Sequence, residues 1–184
     1  MRLNDEYLLD LAVQGDAGSF GEVTQRWERR IFAFIFRYVG NSEEARDLTQ
    51  NTFAKAFENL GRLSDSSRFS SWLYTIALNE CRMRFRREKR AQHFPIEDDS
   101  GSGLELVSAE SSPEEGAAQQ QQVRRLRRAL GHLPDEQRAV IVMKEYQGLK
   151  FQEIAEIVEV PLSTVKSRMY LGLKTLRRLL EGAR

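Results

Sequence analysis

Along the first half of the chain, apolar residues recur every three or four positions, the period that places them on one face of an α-helix. From Phe20 they fall at Val23, Trp27, Ile31, Phe34 and Tyr38. A second stripe, Ala45, Leu48, Thr52 or Phe53, Ala56 and Leu60, predicts a helix starting near Asn41, where Glu44 three residues on resembles a capping box. The spacing also predicts a short helix over 5–14 and a long one over 71–91. The polar stretch between Arg62 and Ser70 reads as a loop. Further helices are predicted near 119–131, 135–147, 150–158 and 162–181, with Pro134 and Pro161 at suitable starts or turns. Strand-like alternation is absent, so the expected fold class is all-α, as two small helical domains.

Between the two helical parts the pattern lapses. Phe94 to Ala118 holds Pro95, Gly101, Gly103, Pro113 and Gly116, a set of serines and seven carboxylates, but no basic residue. Little apolar surface is available there to offset the cost of ordering, so it reads as an acidic linker between a domain at 1–93 and one at 119–184. The net charge of +1 hides this division. Residues 1–93 carry 15 basic and 13 acidic side chains, and residues 119–184 carry 13 and seven. A nucleic-acid binder can look neutral when an acidic segment cancels its basic parts.

Composition removes several function classes. No apolar run approaches the roughly 20 residues that span a bilayer, and the polar start, Met1 to Glu6, does not resemble a secretory signal. The single Cys81 cannot form an internal disulfide, which fits a reducing cytoplasm. Two histidines and one cysteine make a zinc site unexpected. No Gly-rich phosphate loop and no paired nucleophile and base are present, so neither an enzyme, a cofactor nor a small-molecule substrate is expected. His93 and His132 are expected at the surface.

Residues 150–181 have the spacing of a helix-turn-helix. Phe151 to Val158 forms the first helix, Glu159 to Leu162 the turn, and Thr164 onward the second helix. Val165 and Met169 are four apart and should face inward. Ser163, Thr164, Lys166, Ser167 and Arg168 are then left outward at the start of the second helix, where a recognition helix enters the major groove. Arginine can read guanine edges, and hydroxyls can hold phosphates. Taken alone, the pattern equally suits a plain helical hairpin with a solvated basic face.

A longer run of residues decides between these. Leu133 to Val140, then Glu145-Tyr146-Gln147-Gly148-Leu149, Glu153-Ile154-Ala155, Val160-Pro161 and Thr164 to Arg168 together resemble domain 4 of the extracytoplasmic-function sigma factors. The resemblance implies that this domain reads a promoter −35 element. Glu159 stands where that family often has Gly, and a positive φ there would cost up to about 1 kcal/mol. Lys150 replaces a capping Ser or Thr, Ser163 a frequent Gly, and Leu171 a frequent Arg.

The first half carries the same resemblance. Asp47 to Phe57 is similar to sigma region 2.2, which implies that Asp47, Gln50, Asn51 and Phe53 bind core RNA polymerase. Phe69 to Asn79, ending in Arg86-Arg87, is similar to regions 2.3 and 2.4, which implies contact with −10 DNA through Asn79, Arg82, Arg86, Arg87, Arg68 and Ser70. The loop from Arg62 to Ser70 would capture a flipped base. Leu78 and Met83 depart from polar residues common there, implying an unusual −10 sequence. The residues themselves agree. Six of the nine from Arg82 to Arg90 are basic, a density that favours a phosphate-rich partner over a merely solvated helix end. Trp72 reads as core; Tyr74 fits either core or a stacking face. Phe53 and Phe57, four apart, suit burial.

The expected partners are therefore core RNA polymerase and promoter DNA. An anti-sigma protein is a further partner that the resemblance allows. The linker's carboxylates suit either a positively charged polymerase channel or simple solubility. Two other functions compete. A DNA-binding regulator would use the last 65 residues and leave the motifs of 41–91 without a role; an enzyme acting on nucleic acid lacks its catalytic groups.

Overall fold

Each of the first three helices starts on a short polar side chain that accepts from the orphan amides of the first turn. Asn4 accepts from the amide of Tyr7 at 2.9 Å, Asp16 from that of Gly18 at 3.0 Å, and Asn41 from those of Glu43 and Glu44 at 2.9 and 3.1 Å. In the computed structural model, which describes residues 3–91 and 113–181, these caps open α1 (Asp5–Val13), α2 (Ala17–Val39) and α3 (Ser42–Glu58). Gly40, at φ 83°, ends α2 in the left-handed conformation that glycine adopts without steric cost. The capping box expected at Asn41 forms by half: Asn41 caps, while Glu44 pairs with Arg84 of the fourth helix.

The loop expected between Arg62 and Ser70 contains two single turns of 3₁₀ helix, Leu60–Arg62 and Ser66–Arg68. The second is capped by Asp65, whose carboxyl is held below its ordinary range by hydrogen bonds from Ser67. Ser66 reaches back to Asp10 at 2.7 Å, tying the loop to α1. Helix α4 (Phe69–Ala91) follows directly. The stripes of α1 to α4 meet in one apolar core: Leu8, Leu9, Val23, Ile31, Phe34, Ile35, Leu73, Ala77 and Cys81 are all withdrawn from water. Trp27 stands at its edge, donating its indole N–H to Asp5 at 2.7 Å.

Beyond the undescribed residues, α5 (Pro113–Gly131) begins six positions before the end of the expected linker. Helix α6 (Asp135–Ile141) runs on into a π turn (Val142–Tyr146). Gly148, at φ 68°, then reverses the chain into α7 (Phe151–Val158), and α8 (Leu162–Glu181) closes the fold. Glu159 lies at φ 54°, the left-handed turn position where a glycine was expected to be easier. Lys150 offers no acceptor, but Glu153 accepts from its amide at 2.5 Å, so α7 keeps the returning half of a capping box. Val165 and Met169 face inward, as expected. Gly172 lets α8 lie against α6: a Cβ there would stand 2.7 Å from Ile141 Cδ1 and 3.1 Å from Gln137 Cβ. No strand occurs among the described residues.

The two helical parts touch. Helix α7 packs on α4, and the π turn on α2. Tyr74, which the sequence left open, is core, and its hydroxyl donates to Gln147 across this contact at 2.9 Å. Arg127 lies over the Phe36 ring at 4.5 Å, and Arg37 over Tyr146 at 4.7 Å.

Candidate nucleic-acid interface

Helix α8 starts at Leu162, and its first turns are sorted by the burial of Val165 and Met169. With those two inward, Ser163, Lys166 and Ser167 are exposed, while Thr164 and Arg168 are half-buried. Ser167 donates to the carbonyl of Thr164 at 3.2 Å, so one of the expected hydroxyls is engaged within its own helix. Leu171 is half-exposed, an apolar side chain on the surface one step beyond Arg168.

The candidate −10 residues lie along α4 and the turn before it. Asn79, Arg86 and Arg87 are exposed, and Ser70 is half-buried. Arg82 and Arg68 are not free cations. Arg82 Nε lies 2.9 Å from a carboxylate oxygen of Asp135, and Arg68 Nη2 lies 3.1 Å from one of Glu156. The basic cluster is therefore partly neutralised from within, since Arg84 also pairs with Glu44. The side chains of the cluster's last residues, Lys89 and Arg90, fall outside the described ones, as do His93 and the acidic residues 97–110. His132 is exposed, as expected.

Two expectations need correction. Leu78 is buried, so its departure from a polar residue adds to the core and does not alter a DNA-reading face; Met83 is half-buried beside Asp47 and Asn51. Phe53 is also buried, because its position on α3 follows Thr49 and Thr52 onto the inner face. It supports the helix from behind and presents nothing to a partner. Phe57, by contrast, is half-exposed, its ring 5.2 Å from that of Phe20. Asp47, Gln50 and Asn51 are all exposed, as the resemblance implied. Gln50 borders a surface cleft of about 410 Å³ with Gln25, Glu28, Arg29, Phe32 and Arg46.

Sequence reasoning missed the residues that join the two parts. Asp135 accepts from both Arg82 and the Tyr38 hydroxyl. Arg138, buried, donates to the carbonyls of Tyr38, Gly131 and Leu133 at 3.2, 2.7 and 3.2 Å. A cleft of about 460 Å³ lies at this junction, lined by Arg82, Phe85, Arg86, Asp135, Glu136 and Arg168 among others. The only signal in the sequence was an arginine, Arg138, among the apolar residues of a helix, with nothing to name its partners.

Comparison with known proteins matches this architecture to two family models. Sigma-70 region 2 covers residues 23–91, and sigma-70 region 4 covers residues 123–176. The two modules thus define a sigma-70-type transcription factor. The ECF RNA polymerase sigma factor SigW of Bacillus subtilis is 31% identical over 171 residues, covering 91% of each chain. The ECF RNA polymerase sigma-E factor of Escherichia coli is 30% identical over 176 residues, covering 92% of this chain and 90% of its own. The chain belongs to the ECF sigma factors of RNA polymerase. Its function is accordingly to direct core polymerase to specific promoters. Two solved structures share the fold. CnrH, in complex with the cytosolic domain of CnrY, superposes with a TM-score of 0.71 at 22% identity, over 98% of this chain and 99% of that one. The sigma factor RpoE of Bartonella quintana, in complex with the anti-sigma factor NepR, gives 0.68 at 23% identity, over 90% and 98%. No helix among the described residues is long and apolar enough to cross a membrane, and no cluster of theirs could hold a metal ion.

Proposed function

We propose that the two helical modules divide promoter recognition between them. The start of α8 enters the −35 major groove with Lys166 and Arg168 reading base edges and Ser163, Thr164 and Ser167 at phosphates. Asn79, Arg82, Arg86, Arg87, Arg68 and Ser70 take the −10 strand, where opening requires cationic groups along the backbone and a place for an unstacked base. Asp47, Gln50 and Asn51 on α3 meet core polymerase. The chain contributes no catalytic step, cofactor or small-molecule site of its own, and it works in the cytoplasm beside the polymerase that forms the phosphodiester bonds. The modules correspond to 1–93 and 119–184, joined through 94–118.

The observation that carries this reading is the sorting of α8: Val165 and Met169 are buried while Lys166, Ser163 and Ser167 stand in solvent at the helix start. Lys166→Ala and Arg168→Ala should each reduce run-off transcription from the cognate promoter, a direct base contact being worth about 1–3 kcal/mol. Full activity in both variants would refute the −35 assignment.

The two solved relatives were captured with protein partners, named as anti-sigma in one of them. A partner of that kind is proposed for this chain too. Affinity capture of the chain from its own cells, in the presence and absence of core polymerase, tests this.

A further inference from the structure

Arg68 and Arg82 stand on the face assigned to the −10 strand, yet each already holds a carboxylate. Both carboxylates, Glu156 and Asp135, come from the second module. The second oxygen of Asp135 accepts from the Tyr38 hydroxyl, Gln147 accepts from Tyr74, and Arg138 crosses to the Tyr38 carbonyl. The second module thus offers acidic oxygens where promoter DNA would offer phosphates. Arg168, from the −35 face, borders the same cleft as Arg82 and Arg86. At about 460 Å³ that cleft has the size of a small-molecule pocket. It cannot admit a duplex whose major groove alone is roughly 12 Å across.

We propose that this arrangement is a closed, self-inhibited state of the free chain. Asp135 and Glu156 hold the −10 arginines, and promoter binding requires the two modules to part. The inference rests on the assignment of Arg68 and Arg82 to the −10 strand. The contacts suit a switch. The Arg68–Glu156 pair is largely exposed, with side chains 61% and 48% accessible, so it adds little. The Arg82–Asp135 pair is more sheltered, at 24% and 37%, and is reinforced by the Tyr38 hydroxyl. A polar contact of this kind between domains opens when something binds one face better than the other.

A chain that is mostly closed binds DNA more weakly by the fraction that is open. The test uses the full-length chain without polymerase, a fluorescent single-stranded DNA oligonucleotide, and two opened variants. Asp135→Asn with Glu156→Gln removes the two carboxylates. Tyr38→Phe with Gln147→Ala loosens the same contact without changing net charge, so a gain there cannot come from charge alone. Glu28→Gln with Glu58→Gln, on α2 and α3 and away from the contact, controls for lost negative charge in the first. Circular dichroism confirms that all remain helical. The closed state requires that both opened variants bind the oligonucleotide several-fold to about tenfold more tightly than the wild type and the control, with a larger radius of gyration in solution scattering. Unchanged affinity in both opened variants, or a gain in the first that the control matches, overturns it. Arg82→Ala in run-off transcription separates the two readings. If it loses activity while the opened variants bind as wild type does, the closure fails and the −10 assignment stands. If it keeps full activity, the −10 assignment fails and the closure loses its basis.

Discussion

The buried guanidinium of Arg138 sends one N–H to the main-chain carbonyl of Tyr38, 3.2 Å away and 100 residues earlier in the chain. Its other arm closes the end of α5 on the carbonyls of Gly131 and Leu133. It also lies over the rings of Tyr38 and Phe85, at 5.3 and 5.1 Å. One side chain therefore satisfies three carbonyls on two modules, and its positive charge complements the carboxyl end of a helix.

Arg138→Leu keeps much of the apolar volume but leaves those carbonyls without a donor. A buried acceptor left unpaired costs about 1–3 kcal/mol. The urea midpoint of the variant should fall accordingly with its slope unchanged, and an unshifted midpoint would show that the carbonyls find other donors.

Alkaline conditions should weaken the fold from within. Burial pushes the Tyr74 phenol from 10.0 up to about 12, with Arg30 pulling the other way. Burial likewise raises Tyr38, where Asp135 adds to the effect, and Tyr146 and the Cys81 thiol. Above their ordinary values the unfolded chain releases these protons and the folded chain keeps them, so stability falls as pH rises. The contribution is complete below about pH 9 and is lost as pH climbs towards about 12, at ~1.4 kcal/mol per pH step for each group titrating only in the unfolded chain. Urea unfolding followed from pH 8 to 11 should show this decline, with a shallower slope in Tyr74→Phe. An identical slope in that variant would mean that Tyr74 titrates alike in both states.

Arg86 and Arg87 are exposed at the end of α4. If each meets a phosphate, replacing both with alanine lowers the dependence of promoter binding on salt. Each lost contact makes the log–log slope shallower by about 0.7 on single strands and about 0.9 on duplex. Anisotropy titrations of the holoenzyme over a salt series measure it, and an unaltered slope would place these arginines away from the backbone.

Much of this was legible in the sequence because helices declare themselves locally. The stripe from Phe20 to Tyr38 and the pair Val165 and Met169 needed only the helical period to be sorted, and both faces came out as read. Glu159 followed from turn geometry in the same way, since the position calls for a positive φ whatever residue fills it. Phe53 and Leu78 were misjudged for a different reason. A motif carries residues that touch partners together with residues that hold those contacts from behind, and only the packing of α3 and α4 separates them. Asp135, Tyr38 and Arg82 lay beyond reach altogether. Their meeting depends on how two modules dock across a segment of more than 20 residues, and no local period encodes that.

Run-off transcription with purified core polymerase on a library of promoter fragments tests the central claim most directly. The account requires specific transcripts that appear only when the chain is added, and that weaken with Lys166→Ala and with Arg86 and Arg87 replaced. A chain that neither binds core polymerase nor selects any start site would contradict it.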